Sequence, residues 1–363
     1  MKKTRLIGLD VLRILSMCGI VGLHIINQGG VIGHASIGTF KYYVVLFSLI
    51  LFYTSVDVFG LLSGYLGIDK EKNRNGRIVE LIFIVIFYCL LIPILYYSFN
   101  CNDFLIGNYK EIIFNFFPII NGRYWYITCY VFLFLLIPSI NKFCKSIDKK
   151  SFKSMLILLF VLLTIIPCFL GGYDLFRILD GYSPFWLMYC YMIGAYIKIY
   201  NIDYNNGKLI KYSLISILVS FTLNGIIRNI TFSIFGKVVG GSLFIDYVSP
   251  FTLLLSIILI LLFKKMIIKS KSIIKIIVYL SGMSFSVYVI HCHRILFDYF
   301  IKDLFVPLLN YNFIVLLLGI FGTIVVVYLV CCLIDEIRKL LFKLFRVNNL
   351  INLIGKKLDQ ILN

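Results

Sequence analysis

Ten apolar stretches divide this chain, and basic side chains fill the gaps between them. The stretches fall near residues 6–27, 42–66, 78–99, 124–140, 154–170, 182–200, 209–227, 245–263, 274–296 and 313–337. A helix that crosses the hydrocarbon core of a bilayer needs about 20 mostly apolar residues, so each stretch reads as a span, the shorter ones with soft boundaries. In lipid every backbone polar group must find its partner within the protein, which makes the helix the natural unit for such segments. The expectation is an all-α, polytopic bundle of about ten transmembrane helices, forming a single domain over 1–363. Composition agrees. Of 363 residues, 61% are hydrophobic and 14% charged, with a mean hydropathy of +0.96. A soluble domain is only about half apolar.

The formal net charge is +18. A nucleic-acid-binding protein would gather such charge on one soluble face. Here it is spread over short segments between the apolar runs, so no nucleic-acid partner is expected. With the N-terminus inside, 26 of the 35 Lys and Arg fall in inner segments, 8 in outer ones, and Arg13 lies within the first span. Cytoplasmic loops carry the excess of Lys and Arg, so ten spans with both termini cytosolic satisfy the rule at every loop. The first apolar run is interrupted by Asp10 and Arg13, and no small-x-small site follows it, so it reads as a retained helix and not a signal peptide. The ten cysteines include no CxxC pair. Most sit in or beside apolar spans, as small hydrophobes do, and no disulfide framework is expected.

The first helix holds three ionisable groups, in "LDVLRILSMCGIVGLH". Arg13 and His24 are 11 residues apart. At about 100° per residue they share one face, with an axial separation of about 16 Å. Asp10 lies one turn from Arg13 on the same stripe. An Arg deep in a membrane helix costs roughly 2.5–3.5 kcal/mol on insertion scales, and such groups face the bundle interior, where they mark a path or a site. The bland alternative is an Asp10–Arg13 pair that neutralises itself, with His24 at the headgroup level.

An Arg, ten residues and then a His in the first helix resembles the membrane-bound acyltransferase family 3, whose bacterial members O-acylate surface polysaccharides and related glycoconjugates. Three more stretches carry the resemblance: "VDVFGLLSGYL" (56–66), with Ser63 and Gly64, "RNGR" (74–77) after the second span, and "SFSVYVIH" (284–291) in the ninth. It implies a bacterial cytoplasmic membrane protein with an acyl-CoA donor. It implies catalytic roles for His24, Arg13 and Asp10, and donor contacts from Arg74, Arg77, Arg13 and Ser63. Arginine suits donor phosphates through its bidentate fork, although the orientation rule alone also accounts for Arg74 and Arg77.

The remaining polar groups leave alternatives open. Asp57 needs a partner if buried, and could pair with Arg13, orient His24 or form a structural pair. His291 lies at a depth similar to His24, and Tyr288, one turn earlier, could line an acceptor pocket with it. "HCH" (291–293) suggests metal ligands, but i and i+2 on a helix do not face one another, so no metal is expected. Trp125 stands in an aromatic belt or stacks on a sugar ring. The reading that follows is an O-acyltransferase moving an acyl group, most simply acetyl, from acetyl-CoA to a hydroxyl of a surface glycan or its lipid-linked precursor. The transfer is direct, with His24 as base, or passes through an acyl-histidine. The alternatives are a transporter or flippase, which often shows inverted repeats not visible here, and a non-catalytic scaffold, which leaves the Arg13–His24 stripe unexplained.

Overall fold

The structure is a computed structural model that describes residues 5–71, 75–99 and 109–362. All regular elements among the described residues are helical. Ten helices stand where the apolar stretches lie: α1 (Ile7–Ile26), α2 (Phe40–Gly67), α3 (Asn75–Phe99), α4 (Trp125–Ser146), α5 (Lys149–Phe160), α6 (Pro184–Ile199), α7 (Asn206–Phe235), α8 (Pro250–Phe263), α9 (Lys271–His291) and α10 (Phe313–Leu344). With α5 continued by further helical turns to Phe169, eight of these segments are long and apolar enough to cross a membrane. The exceptions are α6, with 16 residues, and α8, with 14. Both start late because a proline occupies the first helical turn, where its fixed φ and missing N–H favour a helix start. Residues 242–249 are spent on turns before Pro250.

The N-terminal helix is central. It packs against α2, α8, α9 and α10, and α2 in turn packs extensively against α6. The α2–α6 approach depends on glycine. A Cβ on Gly64 would collide with the Tyr191 carbonyl, and one on Gly194 would collide with the Leu61 carbonyl. Small residues let membrane helices come close enough for backbone contact. The end of α2 is closed by Asn141, which donates to the Gly67 and Lys70 carbonyls at 3.0 and 2.9 Å and accepts from the Tyr191 hydroxyl at 2.8 Å.

Two further polar links hold the same end of the bundle. On α10, Asp335 accepts two bonds from Arg338, at 2.6 and 3.0 Å, and one from the Tyr88 hydroxyl at 2.9 Å. A buried ion pair of this kind is tolerated only when its remaining lone pairs are also satisfied. A last helix, α11 (Val347–Leu362), lies against α3, and its Asp359 accepts from the backbone N–H and side-chain amide of Asn75 at the start of α3. Outside the spans, Lys265 pairs with Asp203 and holds that carboxyl below the usual range. The nine described cysteines are all free.

Gly64→Ala is expected to force α2 and α6 apart. Overpacking of a close contact costs about 1–3 kcal/mol, which should lower the thermal midpoint of the detergent-solubilised protein. Leu333→Ala, on the exposed face of α10, is the control and should shift stability by no more than about 0.5 kcal/mol. An unchanged midpoint for Gly64→Ala would show that the two backbones separate without cost.

Candidate functional site

One cavity of about 730 Å³ runs beside α1. Its lining begins at Arg5, Lys70 and Arg77 and ends at Arg123, Trp125 and Tyr247, with Arg13 and His24 between. Arg13 and His24 are 11 residues apart, about 16 Å along the helix. The cavity therefore extends along more than half of the first helix. Its two ends differ in chemistry.

At the Arg5 end, Asp10 organises the cations. It is 5% exposed and does not itself line the cavity. Arg5 donates to it twice, from Nε at 2.6 Å and Nη2 at 2.9 Å. Arg13 donates from Nη1 to Asp10 Oδ1 at 3.2 Å and to Ser281 Oγ at 3.0 Å, and Ser281 donates to Asp10 at 2.9 Å. Arg5 escapes simple helical spacing because Leu6 is extended (φ −83°, ψ 92°), so the chain folds back before the helix begins. Sequence alone counts Arg5 as a topology signal, and its place in the site comes from that local bend. Arg77 lines the same end and pairs with Glu80 at 2.6 Å. Two arginines sharing one carboxylate leave this end with a positive balance. Each guanidinium carries five donors, more than the contacts above use.

At the other end stands a histidine pair. His24 Nδ1 lies 3.1 Å from His291 Nε2, and His291 Nδ1 lies 2.6 Å from the Val287 carbonyl. The partners assign the protons. A carbonyl can only accept, so His291 Nδ1 carries hydrogen. In a neutral ring its Nε2 is then bare and accepts from His24 Nδ1–H. His24 is left with a bare Nε2, the form a general base requires. His24 lines the cavity and is half-buried, whereas His291 is 3% exposed and acts only through its neighbour. Phe297 sets its ring edge to face against His24, with centroids 4.7 Å apart. Tyr124 donates to the Val289 carbonyl at 2.8 Å and so ties the end of α9 to the start of α4.

The aromatic residues gather at the same end. Trp125 lies 4.5 Å from the Tyr182 ring and stacks with Tyr247 at 6.0 Å. Tyr288 lines the cavity and packs its ring against Tyr124 and Tyr126. These rings make this end of the cavity a largely aromatic wall, with Trp125 and Tyr247 stacked and Tyr182 inclined to both.

The sequence-predicted residues separate into two groups. Arg13, His24, Ser63, Arg77, Trp125 and Tyr288 all line the cavity, and His291 meets His24 as the matched depths suggested. Ser63 donates back to the Phe59 carbonyl at 2.8 Å. Asp57 neither pairs with Arg13 nor orients His24. It is fully buried between α2 and α6, accepts from Trp186 Nε1 at 2.9 Å and lies outside the cavity lining, with no hydrogen-bond partner for Oδ2 among the described residues. Arg74 lies outside the described residues. His293 turns away and accepts from the Ile295 N–H at 3.2 Å, so residues 291 and 293 do not converge. Cys292 was not singled out by spacing, yet it lines the cavity beside His24.

Comparison with known proteins gives one match. A family model described as an acyltransferase domain, that of acyltransferase family 3, matches residues 6–334. No curated protein and no solved structure matches the chain.

The carboxylate of Asp10 is expected to matter more to folding than the exposed pairs around it. Asp10→Ala removes the shared partner of Arg5, Arg13 and Ser281, and losing a charged, buried acceptor costs about 1.5–3 kcal/mol. Arg77→Ala breaks only an exposed pair and should change stability by less than about 1 kcal/mol. Thermal unfolding of the two purified variants distinguishes them, and equal midpoints would remove Asp10 from this organising role.

Proposed function

We propose, from the premise that the chain belongs to acyltransferase family 3, that this membrane acyltransferase moves an acyl group, most simply acetyl, from cytosolic acyl-CoA to a hydroxyl of a cell-surface polysaccharide or its lipid-linked precursor. Its place is the bacterial cytoplasmic membrane, with both termini inside. The observation that carries the reading is the cavity joining the arginine end to His24. The anionic phosphates of the donor suit Arg5, Arg13 and Arg77, because guanidinium forks bind phosphate oxygens with charge-assisted bonds. The donor's long uncharged arm would follow the cavity toward His24. The sugar suits the cluster of Trp125, Tyr182 and Tyr247, where the apolar face of a pyranose can lie on an aromatic ring.

The chemistry is then direct. His24 Nε2 takes the proton of the acceptor hydroxyl as its oxygen attacks the thioester carbonyl. The tetrahedral intermediate collapses, the carbon–sulfur bond breaks, and the departing thiolate receives the proton from the imidazolium. Throughout, His24 Nδ1–H stays donated to His291 Nε2, so His291 is a positioning residue that holds the ring and its tautomer.

His24→Ala should reduce transfer by about 10²–10⁴-fold, the usual contribution of a positioned base, while acyl-CoA binding persists. His291→Ala should lower kcat and leave the donor KM unchanged. The assay is purified protein in lipid with radiolabelled acetyl-CoA and a glycan acceptor. Full activity in His24→Ala would remove it from the chemistry. A protein that moves glycan across the bilayer but never forms labelled product would instead be the transporter of the rival reading.

Orientation has its own test. In intact cells an impermeant thiol reagent should label Lys237→Cys and spare Lys145→Cys, both on exposed positions, measured against the wild-type background. The reverse pattern would invert the topology and place the arginine end outside.

A further inference from the structure

Three potential ligand atoms meet at the His24 end of the cavity. His24 Nδ1 and His291 Nε2 are 3.1 Å apart, His291 Nε2 and Cys292 Sγ are 3.4 Å apart, and His24 Nδ1 and Cys292 Sγ are 3.7 Å apart. Zinc binds imidazole nitrogen at about 2.0–2.1 Å and thiolate sulfur at about 2.3 Å, with tetrahedral angles. Those bond lengths require N–N edges of about 3.4 Å and N–S edges of about 3.6 Å. The observed triangle matches within about 0.3 Å, so an ion could enter with very small side-chain shifts.

Three independent features support a ligand here. The ring nitrogen of His291 that faces away from the triangle donates to the Val287 carbonyl at 2.6 Å. Metal-ligating histidines nearly always make such a bond, which fixes the ring. His24 and Cys292 both line the cavity, which gives an entry path and a fourth coordination position for water or another small ligand. The donor set is two nitrogens and one sulfur, with no carboxylate in the cluster. It favours a borderline or soft cation over Mg²⁺ or Ca²⁺.

Cys292 directly follows the last residue of α9 and keeps the helical bond from its N–H to the Tyr288 carbonyl at 3.1 Å. His291 and Cys292, about 100° apart around the helix, meet His24 because α9 packs against α1, which sequence spacing does not show.

We propose that His24, His291 and Cys292 form a site for a thiophilic divalent cation such as Zn²⁺, and that its occupancy switches the transferase off. In the apo protein His24 carries its proton on Nδ1. A cation on Nδ1 obliges the neutral ring to carry hydrogen on Nε2 instead. The lone pair that accepts the hydroxyl proton is then gone. The Cys292 thiol loses its proton to solvent as the metal–sulfur bond forms, so each ion bound releases one proton. The site itself stands on geometry alone, whereas the switch rests on the His24 role proposed above.

The test uses the full chain in detergent or lipid, with Co²⁺ as a spectroscopic stand-in and Zn²⁺ as competitor. Wild type should bind one Co²⁺ at this site with visible d–d bands of four-coordinate intensity and a thiolate-to-cobalt charge-transfer band in the near ultraviolet, and Zn²⁺ should erase both. Cys292→Ser should lose the charge-transfer band and bind Co²⁺ more than about tenfold more weakly, since even the loss of an outer-shell partner costs 10–100-fold. In the transfer assay Zn²⁺ should inhibit wild type, a chelator should restore it, and Cys292→Ser should lose a smaller share of its own chelator-treated activity at the same Zn²⁺ concentration. A charge-transfer band that persists in Cys292→Ser, or no Co²⁺ spectrum in wild type, overturns the site. Stoichiometric binding with undiminished transfer overturns the switch. If wild type shows no transfer at all, the functional reading fails, while the cobalt spectrum still decides the site.

Discussion

Arg13 lies within a membrane span, and the structure is arranged around that fact. A guanidinium within a bilayer must be paired and hydrogen-bonded inside the protein. Asp10, one turn away, and Ser281, from α9, provide the partners. Asp10 then has capacity left for Arg5, and Ser281 completes the ring of contacts. Satisfying one charge in this way requires α9 to lie directly against α1. It also places the polar stripe of α1 inside the bundle, so His24, eleven residues further along the same face, is delivered to the interior as well.

The cavity follows from the same arrangement. Along α1, neighbouring helices cannot close on a stripe of charged and polar side chains as they close on leucine. Where glycines face one another the backbones do close, as Gly64 and Gly194 show between α2 and α6. One bundle thus contains a glycine-mediated contact on one side of α2 and a polar-lined passage on another. The passage divides its chemistry by position, with cations at one end and a neutral histidine pair among aromatic rings at the other. A base must be uncharged to work, and among the described residues no ring nitrogen of the pair is hydrogen-bonded to a carboxylate. The hydrogen bond to Val287 supplies orientation without adding charge.

Much of this was legible in sequence because membrane folding follows few rules. Apolar length located the helices, and helical periodicity put Asp10, Arg13 and His24 on one face. Similar distances from the inner ends of α1 and α9 put His24 and His291 at a similar depth. Resemblance added Arg77, Ser63 and the acyl-transfer reading. Asp57 shows where such reasoning fails. A buried carboxylate in the second helix was expected to pair with Arg13 or to orient His24, and the helix rotation that aims it at Trp186 depends on packing with α6.

Sequence by itself therefore determined the class of fold, the helices and the polar face of α1, because hydrophobic length and the 3.6-residue period are local properties. Tertiary structure alone decided which polar groups meet. The contacts that define the site join residues more than 260 positions apart, as His24 to His291 and Arg13 to Ser281 do. They depend on how helices rotate and close against one another, and on one local departure from helical geometry, the bend at Leu6. That bend has no periodic signature and brings Arg5 into the cavity. Cys292 stays on the helical track of α9 and reaches the cavity through the packing of α9 against α1.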